Sequence, residues 1–173
     1  MRKNRGFSLI ELLIVVAIIL IIAGIAIPSL ISAKIAADDS SAVGSLRTIN
    51  TAQIAYASAY PAVGFASTIA ALGPAAATGC TTPSSANACL LDWVVSNSTT
   101  AANAKSGYYF GMGVVAGNGA NVGYTVGGAP ASFNRTGVRG FCSNEDAVLH
   151  YTAALNGPPV TENAACAAYR ALQ

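Results

Sequence analysis

An almost unbroken apolar run, FSLIELLIVVAIILIIAGIAI, fills residues 7–27 and constrains this chain more than any other feature. As an α-helix it spans roughly 32 Å, close to the ~30 Å hydrocarbon thickness of a bilayer, so it is long enough to cross one. The six residues before it are Met-Arg-Lys-Asn-Arg-Gly, with Arg2, Lys3 and Arg5 and no acid. Positive flanks stay on the cytoplasmic side, which predicts a cytoplasmic N-terminus and an exported C-terminal part. A cleaved secretory signal is the competing reading, with Gly24-Ile25-Ala26 as its small-x-small site. Against it, the run exceeds an h-region of about 7–15 residues, contains an acid and continues past Pro28 into helix-like sequence.

The remainder is of different composition. Nearly all the Ile lies in the first third, and the rest is rich in Gly, Ala, Ser, Thr and Asn. Across 173 residues, 53% are apolar and 9% charged, which excludes disorder driven by charge. A net charge of +2, dispersed along the chain, argues against specific nucleic-acid binding. There is no GxxxxGK[ST], GxGxxG or Cys-x-x-Cys-His, so ATPase, dinucleotide-binding and c-type cytochrome readings lose support. The pattern predicts a membrane-seeking rod joined to one small, loop-rich domain.

Beyond Pro28 the periodicity stays helical. At about 100° per residue from Ile35, the side chains of Ala42, Leu46, Ile49, Gln53, Tyr56, Ala57 and Tyr60 fall on one stripe. Lys34, Asp38, Asp39, Ser41, Ser45 and Arg47 lie mostly off it. Residues 28–60 therefore form the amphipathic half of a helix about 80 Å long that Pro61 ends. Gly24 and Pro28 are its weak points and predict a bend near residues 23–27. Residues 61–106 read as a connecting loop, with a short helix over 66–72 and an apolar anchor over 90–95.

Strand signals begin at residue 107. Residues 107–116 alternate, with Tyr108, Phe110, Met112 and Val114 on one face. Gly117-Asn118-Gly119-Ala120 is a hairpin turn, because Asn-Gly readily takes positive φ. Residues 121–126 return, and 138–143 with 147–152 form a second hairpin around Asn144-Glu145-Asp146. Four antiparallel strands packed on a long helix make an α+β fold.

Glu11 is the one acid in the apolar run. An acid at mid-membrane costs on the order of 2.5–3.5 kcal/mol, less near the interface. Either it snorkels to the cytoplasmic interface, or a cation arrives from another molecule.

The residues Arg5-Gly6-Phe7-Ser8-Leu9-Ile10-Glu11-Leu12-Leu13-Ile14-Val15-Val16-Ala17-Ile18 resemble the class III signal of type IV pilins and type II secretion pseudopilins. A basic leader ends in Gly, Phe follows, and Glu stands at the fifth position of the cut chain. The order of long helix, loop, strands and Cys-bracketed tail is also the pilin order, and residues 136–141 with 148–151 resemble the second hairpin of a pilin-like subgroup. The resemblance implies that prepilin peptidase removes residues 1–6, cutting between Gly6 and Phe7, and methylates the amine of Phe7. It implies that Glu11 meets the N-terminal amine of a neighbouring subunit and sets axial register, and that the helix near Gly24 and Pro28 loses order on packing. It further implies residence in the inner membrane before assembly, engagement of an assembly platform and its ATPases, and incorporation into an extracellular homopolymer that serves motility, adhesion or DNA uptake. No cofactor and no catalysis are implied.

Cys80, Cys89, Cys142 and Cys166 allow three pairings, and an exported domain meets an oxidising compartment. The compact choice joins Cys80 to Cys89 within the connector and Cys142 to Cys166 across the sheet-and-tail region, residues 107–173. The second pair resembles the D-region disulfide of pilins, which pseudopilins usually lack. A zinc site is the alternative, with only His150 as a helper and no Cys-x-x-Cys. His150 reads as an ordinary strand residue, since a catalytic role would need a nucleophile and an orienting acid beside it. Asp92, Glu145, Asp146 and Glu162 are too dispersed for an EF-hand type of calcium site. Asn97-Ser98-Thr99 and Asn134-Arg135-Thr136 match a glycosylation tripeptide but read as loops.

Two function classes follow: a structural subunit of a type IV pilus, or a membrane-anchored periplasmic enzyme or binding domain. Within the first, a minor pilin or a type II secretion pseudopilin competes with a major pilin.

Overall fold

A computed structural model describes residues 7–172. The leader, residues 1–6, including Gly6 of the expected cut, lies outside the described residues. The chain falls into two compact units, one ending at Lys34 and one comprising Ile35–Gln173, and a single helix, α1 (Leu9–Ala59), contributes to both.

In the first unit α1 is helical throughout, including Gly24 and Pro28. Pro28 has no N–H, so the Gly24 carbonyl four residues earlier lacks its helical donor. Nothing lies within 4 Å of a Cβ built at Gly24. The side chains from Phe7 to Ile31 are almost all exposed, and this is the one described helix long and apolar enough to cross a membrane.

In the second unit α1 buries Ala42, Ser45, Leu46, Ile49, Asn50, Ala52, Gln53 and Tyr56 at three- and four-residue spacing. Ser45 is buried, although its place on the wheel lay off the stripe. Ser40, Thr48, Thr51 and Ser58 turn their hydroxyls back to the carbonyl four residues before, which satisfies them on the opposite face.

The connector is more structured than its composition predicts. It holds α2 (Ile69–Leu72), capped by Thr68 on the Ala71 N–H, and α3 (Trp93–Asn97), capped by Asp92 on the Val95 N–H at 2.8 Å. Its apolar residues Ala66, Ile69, Leu72, Ala88, Leu91 and Val95 join the core. The N–H groups of Leu90 and Leu91 both donate to the Leu72 carbonyl, at 2.7 and 2.9 Å, and so fold the connector onto itself.

The α+β class is as the sequence reads, with five antiparallel strands in the order β1-β2-β3-β4-β5. They are β1 (Tyr108–Gly117), β2 (Ala120–Pro130), β3 (Gly140–Asn144), β4 (Leu149–Thr152) and β5 (Arg170–Ala171). Asn118 (φ 48°) and Gly119 (φ 87°) form the β1–β2 turn, both with the positive φ that such a turn demands. The inner face presents Tyr108, Phe110, Tyr124, Val126, Phe141 and Leu149 to α1 and the connector. Ring centroids lie 5.9 Å apart for Tyr108 with Phe141 and 4.9 Å for Phe65 with Tyr124.

The strands depart from the sequence reading at several points, and β3 begins at Gly140 rather than at residue 138. β2 runs four residues further, through Gly127-Gly128-Ala129-Pro130, because the missing side chains at Gly127 and Gly128 are what its neighbours require. A Cβ at Gly128 would meet the Phe110 ring at 3.1 Å. β4 starts at Leu149 rather than at residue 147, because Ala147 takes φ 58° in the turn. β5 is a fifth strand, two residues of the tail paired with His150 and Tyr151.

Candidate assembly segment and sealed head

Glu11 sits in the first turn of α1, where the Leu12 N–H donates to the Ser8 carbonyl at 3.2 Å. A carboxylate is favoured there by the positive end of the helix dipole. Ser8-Leu9-Ile10-Glu11 also has the Ser-x-x-Glu spacing of a capping box, which sequence reasoning passed over. Among the described residues Glu11 makes no ion pair. It is a lone acid on an exposed apolar rod, at the same end as Phe7.

The head is closed by disulfides and buried polar bonds. Cys80 joins Cys89 with Cα atoms 5.7 Å apart, and Cys142 joins Cys166 at 5.8 Å. All four cysteines are spent in these bonds, which leaves no thiolate for zinc. Among the described residues no three His, Cys, Asp or Glu side chains converge as a metal site. His150 lies opposite Cys142 on β4, and its Nδ1 is buried without a hydrogen-bond partner among the described residues. Among the described residues no hydrogen bond links His150 to Glu145 or Asp146, nor to a Ser or Thr hydroxyl.

Sequence reasoning missed the polar side chains that lock α1 to the head. Gln53, fully buried, grips Ala66 from both sides: its Nε2 donates to the Ala66 carbonyl at 3.1 Å, and its Oε1 accepts the Ala66 N–H at 2.9 Å. The Tyr124 hydroxyl donates to Asn50 Oδ1 at 3.0 Å, and Asn50 Nδ2 donates to Ser143 Oγ at 2.9 Å. Burial, then the nearby carboxylates of Glu145 and Asp146, push the Tyr124 phenol up to about 12. The Tyr108 hydroxyl donates to Asp39 Oδ1 at 2.6 Å, with the Arg139 carbonyl at 2.8 Å. Burial first, then the bond to Asp39, hold the Tyr108 phenol far above its ordinary range. Arg139 Nε lies 3.8 Å from Asp39 Oδ2 but is largely exposed, so that pair contributes little. The available signal was Asn50 and Gln53, three residues apart on one apolar stripe.

The family described as "Prokaryotic N-terminal methylation motif" matches residues 1–27. Over 56 residues the chain is 50% identical to the type IV major pilin protein PilA of Myxococcus xanthus, covering 32% of this chain and 26% of that one. Over 39 residues it is 56% identical to the type IV wide pilus major component PilA4 of Thermus thermophilus, covering 22% of this chain and 30% of that one. The chain thus spans less than a third of the length of either relative. No solved structure matches it.

Proposed function

We propose that the chain, with a prepilin methylation motif, pilin relatives and an α+β head behind one long helix, is a type IV pilin, a structural subunit that polymerises through residues 7–27 into an extracellular pilus. The observation that carries this reading is the apolar rod. From Phe7 to Ile31 its large side chains are exposed, a surface that must be covered by lipid or by other copies of itself. Before assembly the inner membrane covers it, with the N-terminus cytoplasmic. After prepilin peptidase cuts between Gly6 and Phe7 and methylates Phe7, and the assembly platform and its ATPases act, neighbouring rods cover it. The Cys142–Cys166 disulfide favours a pilin over a pseudopilin.

Glu11 then meets the Phe7 amine of a neighbour. Removing one partner of a buried pair leaves the other unpaired and costs on the order of 3–5 kcal/mol. The first-turn position and Ser-x-x-Glu spacing favour a second reading, in which Glu11 caps its own helix. Glu11→Ala and Glu11→Gln separate the two. An ion pair predicts few fibres for Ala and an intermediate yield for Gln, because Gln keeps a hydrogen bond and loses the charge. A cap predicts wild-type yield for Gln. Surface fibres are counted by electron microscopy against membrane pools of subunit, and sheared fibres are weighed intact for a start at Phe7 carrying one methyl. Wild-type fibre yield from Glu11→Ala overturns the pairing, and a start at Ile27 overturns the pilus reading itself.

A further inference from the structure

The outer face of the sheet carries a strap whose seat is made of glycine. After β4 the chain returns through residues 157–162, which form neither helix nor strand, enters α4 (Asn163–Ala167) and ends in β5. Its backbone lies directly on β1 and β2. A Cβ at Gly127 would strike the Val160 carbonyl and stand 2.7 Å from the Val160 nitrogen, and one at Gly113 would strike the Thr161 carbonyl. At Gly111 the nearest atoms would be side chains, Thr161 Cγ2 at 3.1 Å and Pro159 Cβ at 3.2 Å. Asn144 Nδ2 fixes the strap further, donating to Asn163 Oδ1 at 3.2 Å, while Asn144 Oδ1 accepts from Thr125 Oγ1 at 3.0 Å.

The two disulfides stand in unlike surroundings. Cys80 is exposed and Cys89 half-buried, whereas Cys142 and Cys166 are both fully buried. Thiol–disulfide exchange needs a thiolate in contact with a sulfur. Such contact with Cys142 or Cys166 requires a local opening of the structure around them.

We propose that the tail, residues 153–172, is a latched strap that must lift from Gly111, Gly113 and Gly127 before Cys142–Cys166 can be reduced, so that the glycine seat, and not the disulfide, sets how fast the latch opens. An external dithiol supplies the electrons. Its thiolate attacks one cysteine sulfur of the lifted strap, the Cys–Cys bond breaks, and the departing cysteine sulfur takes up a proton. The second reagent thiol then closes the reagent into its own disulfide, and the second cysteine leaves as a thiol. In oxidising surroundings the disulfide holds the lifted strap close enough to reseat.

The test is timed reduction of the full-length chain in detergent micelles by dithiothreitol, with alkylation and peptide mapping of each cysteine. In the wild type, Cys80–Cys89 opens first and Cys142–Cys166 lags by tenfold or more. Gly127→Ala, whose methyl collides with strap backbone, speeds reduction of Cys142–Cys166 by about tenfold and leaves Cys80–Cys89 unchanged. Gly111→Ala, which meets only side chains, speeds it by a smaller factor. Equal rates for the two disulfides in the wild type overturn the proposal, as does a folded Gly127→Ala with an unaltered rate. Acceleration of both disulfides together marks general unfolding and also overturns it. Should Gly127→Ala fail to fold, Gly111→Ala decides: an unchanged ratio of the two rates refutes the latch.

Discussion

Gln53→Leu is the perturbation that best isolates how the connector is tied to α1. Leu matches Gln closely in volume, so the cavity contribution is small. What is lost is the clamp on Ala66, a residue with no exposure, whose N–H and C=O among the described residues find their partners in the Gln53 amide. Orphaning two buried backbone groups costs ~1–3 kcal/mol each, or ~2–6 kcal/mol together. Leu returns about 1 kcal/mol through extra apolar burial, which leaves a net loss of about 3 kcal/mol. Against a domain stability of about 5–15 kcal/mol this is a large fraction. The assay is urea unfolding followed by circular dichroism, with hydrogen exchange at the Ala66 amide as the local readout. The midpoint should fall without a change in slope, and Ala66 should exchange faster than its neighbours. Gln53→Glu adds a second test. Its carboxylate cannot donate to the Ala66 carbonyl, and burying the charge costs more than the Leu variant. Once protonated it both donates and accepts, so its pKa is raised on folding and the variant regains stability as pH falls toward about 4. A loss under ~0.5 kcal/mol for Gln53→Leu, or a Glu variant indifferent to pH, would refute the clamp.

Two further predictions concern the head. Replacing Cys142 and Cys166 by Ser should destabilise it by about 3.5 kcal/mol and replacing Cys80 and Cys89 by about 2.6 kcal/mol, from loops of 24 and 9 residues in the chain-entropy model; paired denaturation curves showing the reverse order would contradict this. Tyr124 is raised on folding to about 12 and Tyr108 is raised as well, so the folded head keeps protons that the unfolded chain releases. Below pH ~10 their contribution is complete; above it the Tyr124 part is lost as pH rises through about 12 and the Tyr108 part at higher pH still. An ultraviolet titration should show these phenols ionising together with unfolding, and ionisation with the head still folded would contradict the burial argument.

Side-chain pattern carries information only where a side chain performs the packing, and this decides which parts of the molecule were legible. The stripe from Ala42 to Tyr56 and the alternation of Tyr108 and Phe110 are each a repeat of groups facing one way, and the structure buries them so, while the apolar run is legible from its length and unbroken apolarity alone. Glu11 stands out for the opposite reason, as a charge inside an apolar run, and its Ser-x-x-Glu spacing is a local signal of the same kind. The end of β2 was not legible. Gly127-Gly128-Ala129-Pro130 carries the composition of a strand breaker, yet these residues stay paired because the Phe110 ring occupies the space above Gly128 and the strap backbone that above Gly127. The head needs an absence of atoms there, and glycine gives the same letter to an absence that is required and to one that merely permits a turn. Asn50 and Gln53 fail in a related way. A polar residue on an apolar stripe has no assigned partner until the fold brings Tyr124, Ser143 and Ala66 to it from far along the chain. What fixes α1 on the head is therefore set by contacts of long sequence separation, which local periodicity cannot carry. The residues of the methylation motif follow one another within 1–27 and are written almost wholly in local sequence, and this is why that motif is recognisable while the head must be seen folded to be understood.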